Sequence, residues 1–303
     1  MCLQVVKVLN TSLISSDKKE KKVFQLHLGM KKIYSILFLL FVLCFQVQSQ
    51  IKYGSNNGKY TYILKTKIYY EEYGKGAPLL LLHGGMGGIA DFSSCIPELS
   101  KKFRVIVADA PGQSKSQFVD SISYELLAEF AWGLIENLKL DSAFVMGWSD
   151  GGNTALILAS KHPEKVKKVI SVGGNYLLKG YNFNDSSSLQ MIPADYVPTP
   201  EQKEWINDYF GENKSTWRET LNGRTRMWAQ EIYFPKNILE NIKVPAMIVV
   251  GDRDAVTLEH AVDMYRIIKG SQLLILPGTT HRVFHERADD IVRFSINFFS
   301  NTK

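Results

Sequence analysis

Ala143-Phe144-Val145-Met146-Gly147-Trp148-Ser149-Asp150-Gly151-Gly152-Asn153-Thr154-Ala155-Leu156-Ile157-Leu158-Ala159 decides the architecture of this chain. The apolar run Ala143 to Met146 suits a strand, and Asn153 to Ala159 suits a helix. Gly147-Trp148-Ser149-Asp150-Gly151 joins them in the G-x-S-x-G pattern. A turn this tight needs glycine two positions either side of the serine, and it pushes the hydroxyl out above the sheet edge. Ser149 is therefore the candidate nucleophile.

Working outward, the chain reads as strands and helices in alternation. Tyr60 to Leu64 and Lys67 to Tyr73 form two alternating runs that predict an antiparallel start. Pro78 to Leu82, Val105 to Ala108, Val166 to Val172, Val244 to Val250 and Gln272 to Leu276 are short apolar runs, the pattern of strands buried on both faces of a mostly parallel sheet. Helices are expected from the glycine loop to about Lys101, and over Tyr124 to Leu138, Leu258 to Ile268 and Ala288 to Phe299. This order predicts a doubly wound α/β sheet with right-handed crossovers.

Residues 175–236 break the rhythm. They hold no buried-strand run but contain Trp205, Trp217 and Trp228, with Pro193, Pro198 and Pro200 punctuating the start. The expectation is a small helical cap over the carboxyl ends of the strands, where ligands bind in such sheets. The core would then comprise residues 50–174 and 237–303.

A serine hydroxyl needs an adjacent base, itself oriented by a carboxylate. In this architecture the partners follow in the order Ser, acid, His. His281, in Pro277-Gly278-Thr279-Thr280-His281, directly follows the last strand and is the candidate base. Gly251-Asp252-Arg253-Asp254 follows the preceding strand and offers Asp252 and Asp254 as the acid; spacing does not choose between them. His83, His162, His260 and His285 are read as structural. The loop His83-Gly84-Gly85-Met86-Gly87-Gly88 lets backbone N–H groups approach a developing oxyanion. Asp150 supplies one N–H, and Gly85, with Met86 as the lesser candidate, supplies the other. The loop has neither a G-K-[ST] ending nor a G-x-G-x-x-G pattern, which argues against phosphate binding. No histidine pair has metal-ligand spacing with a third ligand nearby, so no metal and no cofactor are expected.

Composition bounds the remainder. The chain has 303 residues, 45% apolar and 22% charged, with a formal net charge of +6. Lys7, Lys18, Lys19, Lys21, Lys22, Lys31 and Lys32, set against Asp17 and Glu20, place most of that charge before residue 50. The nearly neutral remainder gives no support for nucleic-acid binding. Met30-Lys31-Lys32, the apolar run Ile33 to Phe45 and the polar Gln46 to Gln50 fit a secretory signal cut between Ser49 and Gln50, with residues 1–29 as an upstream extension. The run is short for a bilayer span, so no stable membrane insertion is expected after cleavage. A lipoprotein anchor at Cys44 is the competing reading, disfavoured by bulky Leu43. The expected location is secreted or periplasmic. Only Cys95 would remain of three cysteines, which excludes an internal disulfide and reads as a small buried hydrophobe.

Together, His83-Gly84-Gly85, Asp109-Ala110-Pro111-Gly112, Gly147-Trp148-Ser149-Asp150-Gly151-Gly152, Gly251-Asp252-Arg253-Asp254 and Gly278-Thr279-Thr280-His281 resemble the ordered motifs of the α/β-hydrolase superfamily. More narrowly, the elbow with Thr154-Ala155-Leu156 resembles the biphenyl hydrolase-like, or valacyclovir hydrolase, group. The resemblance covers residues 60–300 and implies an α/β-hydrolase fold with Asp254 as the acid. It also implies hydrolysis of a small-molecule ester, with Asp150, Trp148 and Met86 near the substrate. In the narrower group the aspartate after the nucleophile is taken to pair with a substrate α-ammonium, which would favour aminoacyl esters. A carbon–carbon bond hydrolase uses the same triad, and a ligand-binding receptor can share the scaffold. Two departures from the superfamily pattern are the extra glycine in the loop and Ser114, which stands where relatives often have glycine. Oligomeric state has no signature in the sequence.

Overall fold

The computed structural model describes residues 51–182 and 189–301. The expected signal segment, the alternative anchor at Cys44 and part of the expected cap lie outside the described residues. Eight strands form one sheet in the order β1-β2-β4-β3-β5-β6-β7-β8. They are β1 Lys59–Ile63, β2 Thr66–Tyr73, β3 Ala77–Leu82, β4 Phe103–Ala108, β5 Ala143–Trp148, β6 Val166–Val172, β7 Ala246–Gly251 and β8 Gln272–Leu276. β1 pairs antiparallel with β2, and β2 antiparallel with β4; from β4 to β8 every pairing is parallel. This is the α/β-hydrolase fold the sequence pointed to.

Period-two alternation divides the sheet's side chains between two cores. Leu80, Ile106, Val145, Val169 and Ile248 meet helix α1 (Tyr124–Asn137) and helix α2 (Asp150–Lys161) through Leu127, Leu134, Leu156 and Ile157. Leu79, Leu81, Val107, Met146 and Ile170 face the other way, onto Phe92, Ile96, Phe284 and Phe298. Burying a leucine-sized side chain contributes about 1.5–3 kcal/mol, so a one-residue register slip in a central strand would exchange the two faces at large cost. Cys95 is a fully buried free thiol in the second core.

The continuous helix expected up to Lys101 is absent. A 3-10 turn at Ile89–Phe92 and a short helix at Ile96–Leu99 replace it. The apolar spacing of Phe92, Cys95, Ile96 and Leu99 is kept. Pro97 has no N–H to continue a helix from upstream, yet it fits the first turn of a new one.

Between β6 and α5 (Lys236–Glu240), the main helices among the described residues are α3 (Pro200–Phe210) and α4 (Trp217–Trp228). α3 begins with a capping box: Thr199 Oγ1 accepts the Gln202 N–H, and the Gln202 side chain accepts the Thr199 N–H. Bridges at Leu177–Ile232 and Tyr181–Val256 tie the ends of this interval to each other and to the core. Helices α6 (Leu258–Ile267) and α7 (Ala288–Ser300) complete the two layers.

His260, at the start of α6, is structural. Its Nε2 accepts the Tyr176 N–H at 3.1 Å, and its ring stacks on Tyr176 with centroids 4.8 Å apart. Burial depresses its pKa from 6.5 to about 4, because protonating Nε2 would charge a desolvated ring and remove an acceptor. The folded state therefore holds this imidazole neutral through a window in which the unfolded chain binds a proton. The contribution should be complete above pH 6.5 and fall away as pH drops towards 4, reaching at most about 3 kcal/mol. Denaturation midpoints of wild type and His260→Gln measured across that window should converge as the pH falls.

Candidate active site

Ser149 sits between β5 and α2 with φ 55° and ψ −118°, a backbone conformation that is strained for a side chain with a Cβ. The strain is held from several directions. Ser149 N–H donates to the Val172 carbonyl at 2.8 Å, and the Ser149 carbonyl accepts from Asn153 at 3.1 Å. A Cβ on Gly147 would lie 1.9 Å from the Gly151 carbonyl oxygen, and one on Gly151 would lie 2.0 Å from the Leu82 carbonyl oxygen. Helix α2 therefore starts in backbone contact with β3, which sets the height at which Ser149 emerges.

His281 Nε2 is 2.9 Å from Ser149 Oγ, and His281 Nδ1 is 2.7 Å from Asp254 Oδ1. Asp254 Oδ1 also accepts the Val256 N–H at 2.9 Å, and its carboxylate is fully buried. The histidine loop is pinned by Trp148, whose indole N–H donates to the His281 carbonyl at 2.8 Å. Tyr181 packs edge-on against the imidazole, ring centroids 5.5 Å apart. Asp252 takes no part in this chain of contacts. It is exposed and accepts the Thr279 N–H at 3.1 Å; bonds from the Gly278 and Thr279 backbone hold its carboxyl below the usual range.

The glycine loop lies against the elbow. A Cβ on Gly84 would be 3.2 Å from Ser149 Cβ, so the loop backbone runs directly beside Ser149. Gly85 and Met86 are half-buried, and Met86 adopts φ 59°. His83 Nε2 accepts the Ala110 N–H at 2.8 Å, while Nδ1 is 2.7 Å from the Gly84 carbonyl; these contacts fix the neutral Nδ1–H tautomer. Asp109, fully buried, accepts the N–H groups of Ile89 and Lys115. Ser114 has φ 47°, which explains why glycine suits that turn; here serine takes the left-handed conformation.

Asp150 has its N–H in the first turn of α2, where helical donors have no intrahelical acceptor. Its carboxylate is buried and faces α4. The Tyr124 hydroxyl donates to Oδ1 at 2.8 Å, the Trp228 indole N–H reaches Oδ1 and Oδ2 at 3.0 and 3.1 Å, and Arg224 Nη1 lies 3.5 Å from Oδ2. Sequence reasoning took Trp228 only as a residue of the expected helical cap and passed over Arg224 and Tyr124 as neighbours of the site. A signal was available, since Thr220, Arg224 and Trp228 recur every four residues and share one face of α4. From α3, the Tyr209 hydroxyl contacts the Gly87 carbonyl at 2.7 Å and Gln113 Oε1 at 2.9 Å. No group of three or more His, Cys, Asp or Glu side chains is placed to hold a metal ion among the described residues.

A family model described as the alpha/beta hydrolase fold matches residues 77–231, and the chain belongs to that family. It is an enzyme of the α/β-hydrolase superfamily. Among curated proteins it is similar to human serine hydrolase BPHL, 27% identical over 242 residues, 77% of this chain and 82% of the relative. It is equally similar to 2-hydroxy-6-oxo-6-phenylhexa-2,4-dienoate hydrolase of Burkholderia cepacia, 27% identical over 265 residues, 78% of this chain and 92% of the relative. Among solved structures, a meta-cleavage product hydrolase from Pseudomonas fluorescens IP01 superposes with TM-score 0.66 at 21% identity. It covers 81% of this chain and 98% of its own, a likeness of fold.

The close approach at the elbow is testable through stability. Gly151→Ala, which sets a Cβ against the Leu82 carbonyl, should cost about 3 kcal/mol or more. Gly270→Ala has φ 77° but no heavy atom within 4 Å of the new Cβ, and should cost only the left-handed penalty of about 1–2 kcal/mol. Urea denaturation of the two variants should rank them in that order.

Proposed function

We propose that this chain is a serine hydrolase of small carboxylic esters that works through an acyl-enzyme, without metal or cofactor. The observation that carries the reading is the unbroken line of contacts from Asp254 through His281 to Ser149. Ser149 attacks the ester carbonyl as His281 Nε2 takes its proton; Asp254 holds the Nδ1–H tautomer and balances the imidazolium. The N–H groups of Asp150 and Gly85 stabilise the oxyanion, because they are fixed in the elbow and loop before charge develops. His281 then returns the proton to the departing alkoxide. Water, activated by the same imidazole, releases the acid and regenerates Ser149. Trp148 and Met86 would flank the substrate. An aminoacyl preference depends on whether the Asp150 carboxylate is open to an ammonium.

A second reading is carbon–carbon bond hydrolysis by the same three residues. It is favoured by relatives whose names give 2-hydroxy-6-oxodienoates as substrates, and by Arg224, a buried guanidinium beside Asp150, the residue after Ser149, of the charge type that would meet such an anion. A substrate panel pairing chromogenic esters with a dienoate separates the readings by relative kcat/KM.

Ser149→Ala should lower p-nitrophenyl ester turnover by several orders of magnitude and abolish fluorophosphonate labelling, with the thermal midpoint nearly unchanged. Asp254→Asn should be severe and Asp252→Asn mild in the same assay. Activity near a tenth of wild type in Ser149→Ala would reject Ser149 as the nucleophile, and binding of ligands without labelling would favour a receptor.

Export completes the proposal: the native protein should begin at or near Gln50 and fractionate outside the cytoplasm. N-terminal sequencing checks this, and an intact N-terminus in the cytosol would reject it.

A further inference from the structure

Among the described residues between β6 and α5, Arg224 is the most deeply buried charge. Its side chain is 2% exposed and that of Asp150 is 7% exposed. Among the described residues, the one ion pair Arg224 makes is with Asp150; its other hydrogen bond is to the Pro111 carbonyl at 3.4 Å. A guanidinium taken out of water needs a counter-charge, and removing that charge leaves it uncompensated at a cost of several kcal/mol. Asp150, for its part, has Tyr124, Trp228 and Arg224 disposed around both carboxylate oxygens.

Space agrees with charge. A Cβ built on Gly85 would lie 2.4 Å from the Trp228 ring and 2.5 Å from Asp150 Oδ2. Where not even one methyl group fits between the glycine loop and the carboxylate, an ammonium group cannot enter from the loop without displacing Trp228. On another side Asp150 and Arg224 together line a small internal cavity with His83, Asp109 and Pro111, so a group that reached the carboxylate there would meet the guanidinium as well.

We propose that Asp150 is the internal counter-ion of Arg224, so that the wall beside Ser149 is electrically neutral and the enzyme selects esters with uncharged acyl groups over α-ammonium esters. An ammonium drawn towards Asp150 meets the guanidinium in the same low-dielectric space, and repulsion from one offsets attraction to the other. Arg224 is then a specificity residue: it excludes a cationic substrate by occupying the anion such a substrate would use. Burial pulls the Arg224 pKa down while Asp150 opposes the shift, in keeping with a desolvated guanidinium that depends on one partner. This inference rests on the serine-ester reading above.

The experiment compares kcat/KM for the p-nitrophenyl esters of valine and 3-methylbutyrate, below the pKa of the amino group, each divided by its own hydroxide-catalysed rate. Turnover of the neutral ester and fluorophosphonate labelling of Ser149 come first; if both fail, the ester reading fails and the specificity question does not arise. Given turnover, the wild-type ratio of amino to neutral ester should be one or less. Arg224→Met keeps apolar bulk and frees the carboxylate, and should raise the ratio at least about tenfold, a relative gain of about 1.4 kcal/mol. The double variant Arg224→Met with Asp150→Asn should cancel that gain. A wild-type ratio above one overturns the proposal with no variant needed, which keeps it testable if Arg224→Met does not fold. A folded Arg224→Met whose ratio is unchanged overturns it as well.

Discussion

The contact on which the active end depends is between backbones: the first turn of α2 lies so close to β3 that no Cβ can stand on Gly151, and none can stand on Gly147 opposite. Two glycines let helix and strand meet at a distance side chains would forbid, and the residue between them takes the strain. Ser149 is held at φ 55° because both flanks are fixed, by Val172 in the sheet and by Asn153 in the helix. Such strain persists only when the surroundings over-determine it, and here the surroundings are the centre of an eight-stranded sheet.

Among the described residues, α3 and α4 meet the elbow and the glycine loop through a small set of polar side chains. α4 reaches Asp150 through Arg224 and Trp228, and α3 reaches the glycine loop through Tyr209. Asp150 thus serves two neighbours at once: its backbone opens α2 directly after Ser149 while its carboxylate binds α4. A change at Asp150 acts on both, so its effects on rate and on cap packing do not separate in a single variant.

Much of this was legible in the sequence. Glycine spacing around Ser149, apolar runs of strand length and the positions of Asp254 and His281 after their strands are local patterns with a local physical cause. Spacing did not separate Asp252 from Asp254, because two residues on one loop differ in side-chain direction, and only the fold buries one and exposes the other. The first helix was misjudged because helical spacing of Phe92, Cys95, Ile96 and Leu99 describes a buried face as well as it describes a continuous helix. Arg224 was missed for a deeper reason. The shared face of Thr220, Arg224 and Trp228 on α4 tells which residues point together but not what they meet, and the partner of Arg224 lies 74 positions away.

The order of the site along the chain bears on synthesis. His281 and Ser149 are 132 residues apart, and His281 enters the site only once β8 has added to the sheet beside β7. Pairing at that separation carries a loop-closure cost that local hairpins such as β1–β2 escape. In the proposed mechanism a growing chain, made N-terminus first, holds its serine long before it holds the base that would activate it. On that reading the nascent protein is chemically silent until its last strand is in place, and any fragment that stops short of β8 stays so.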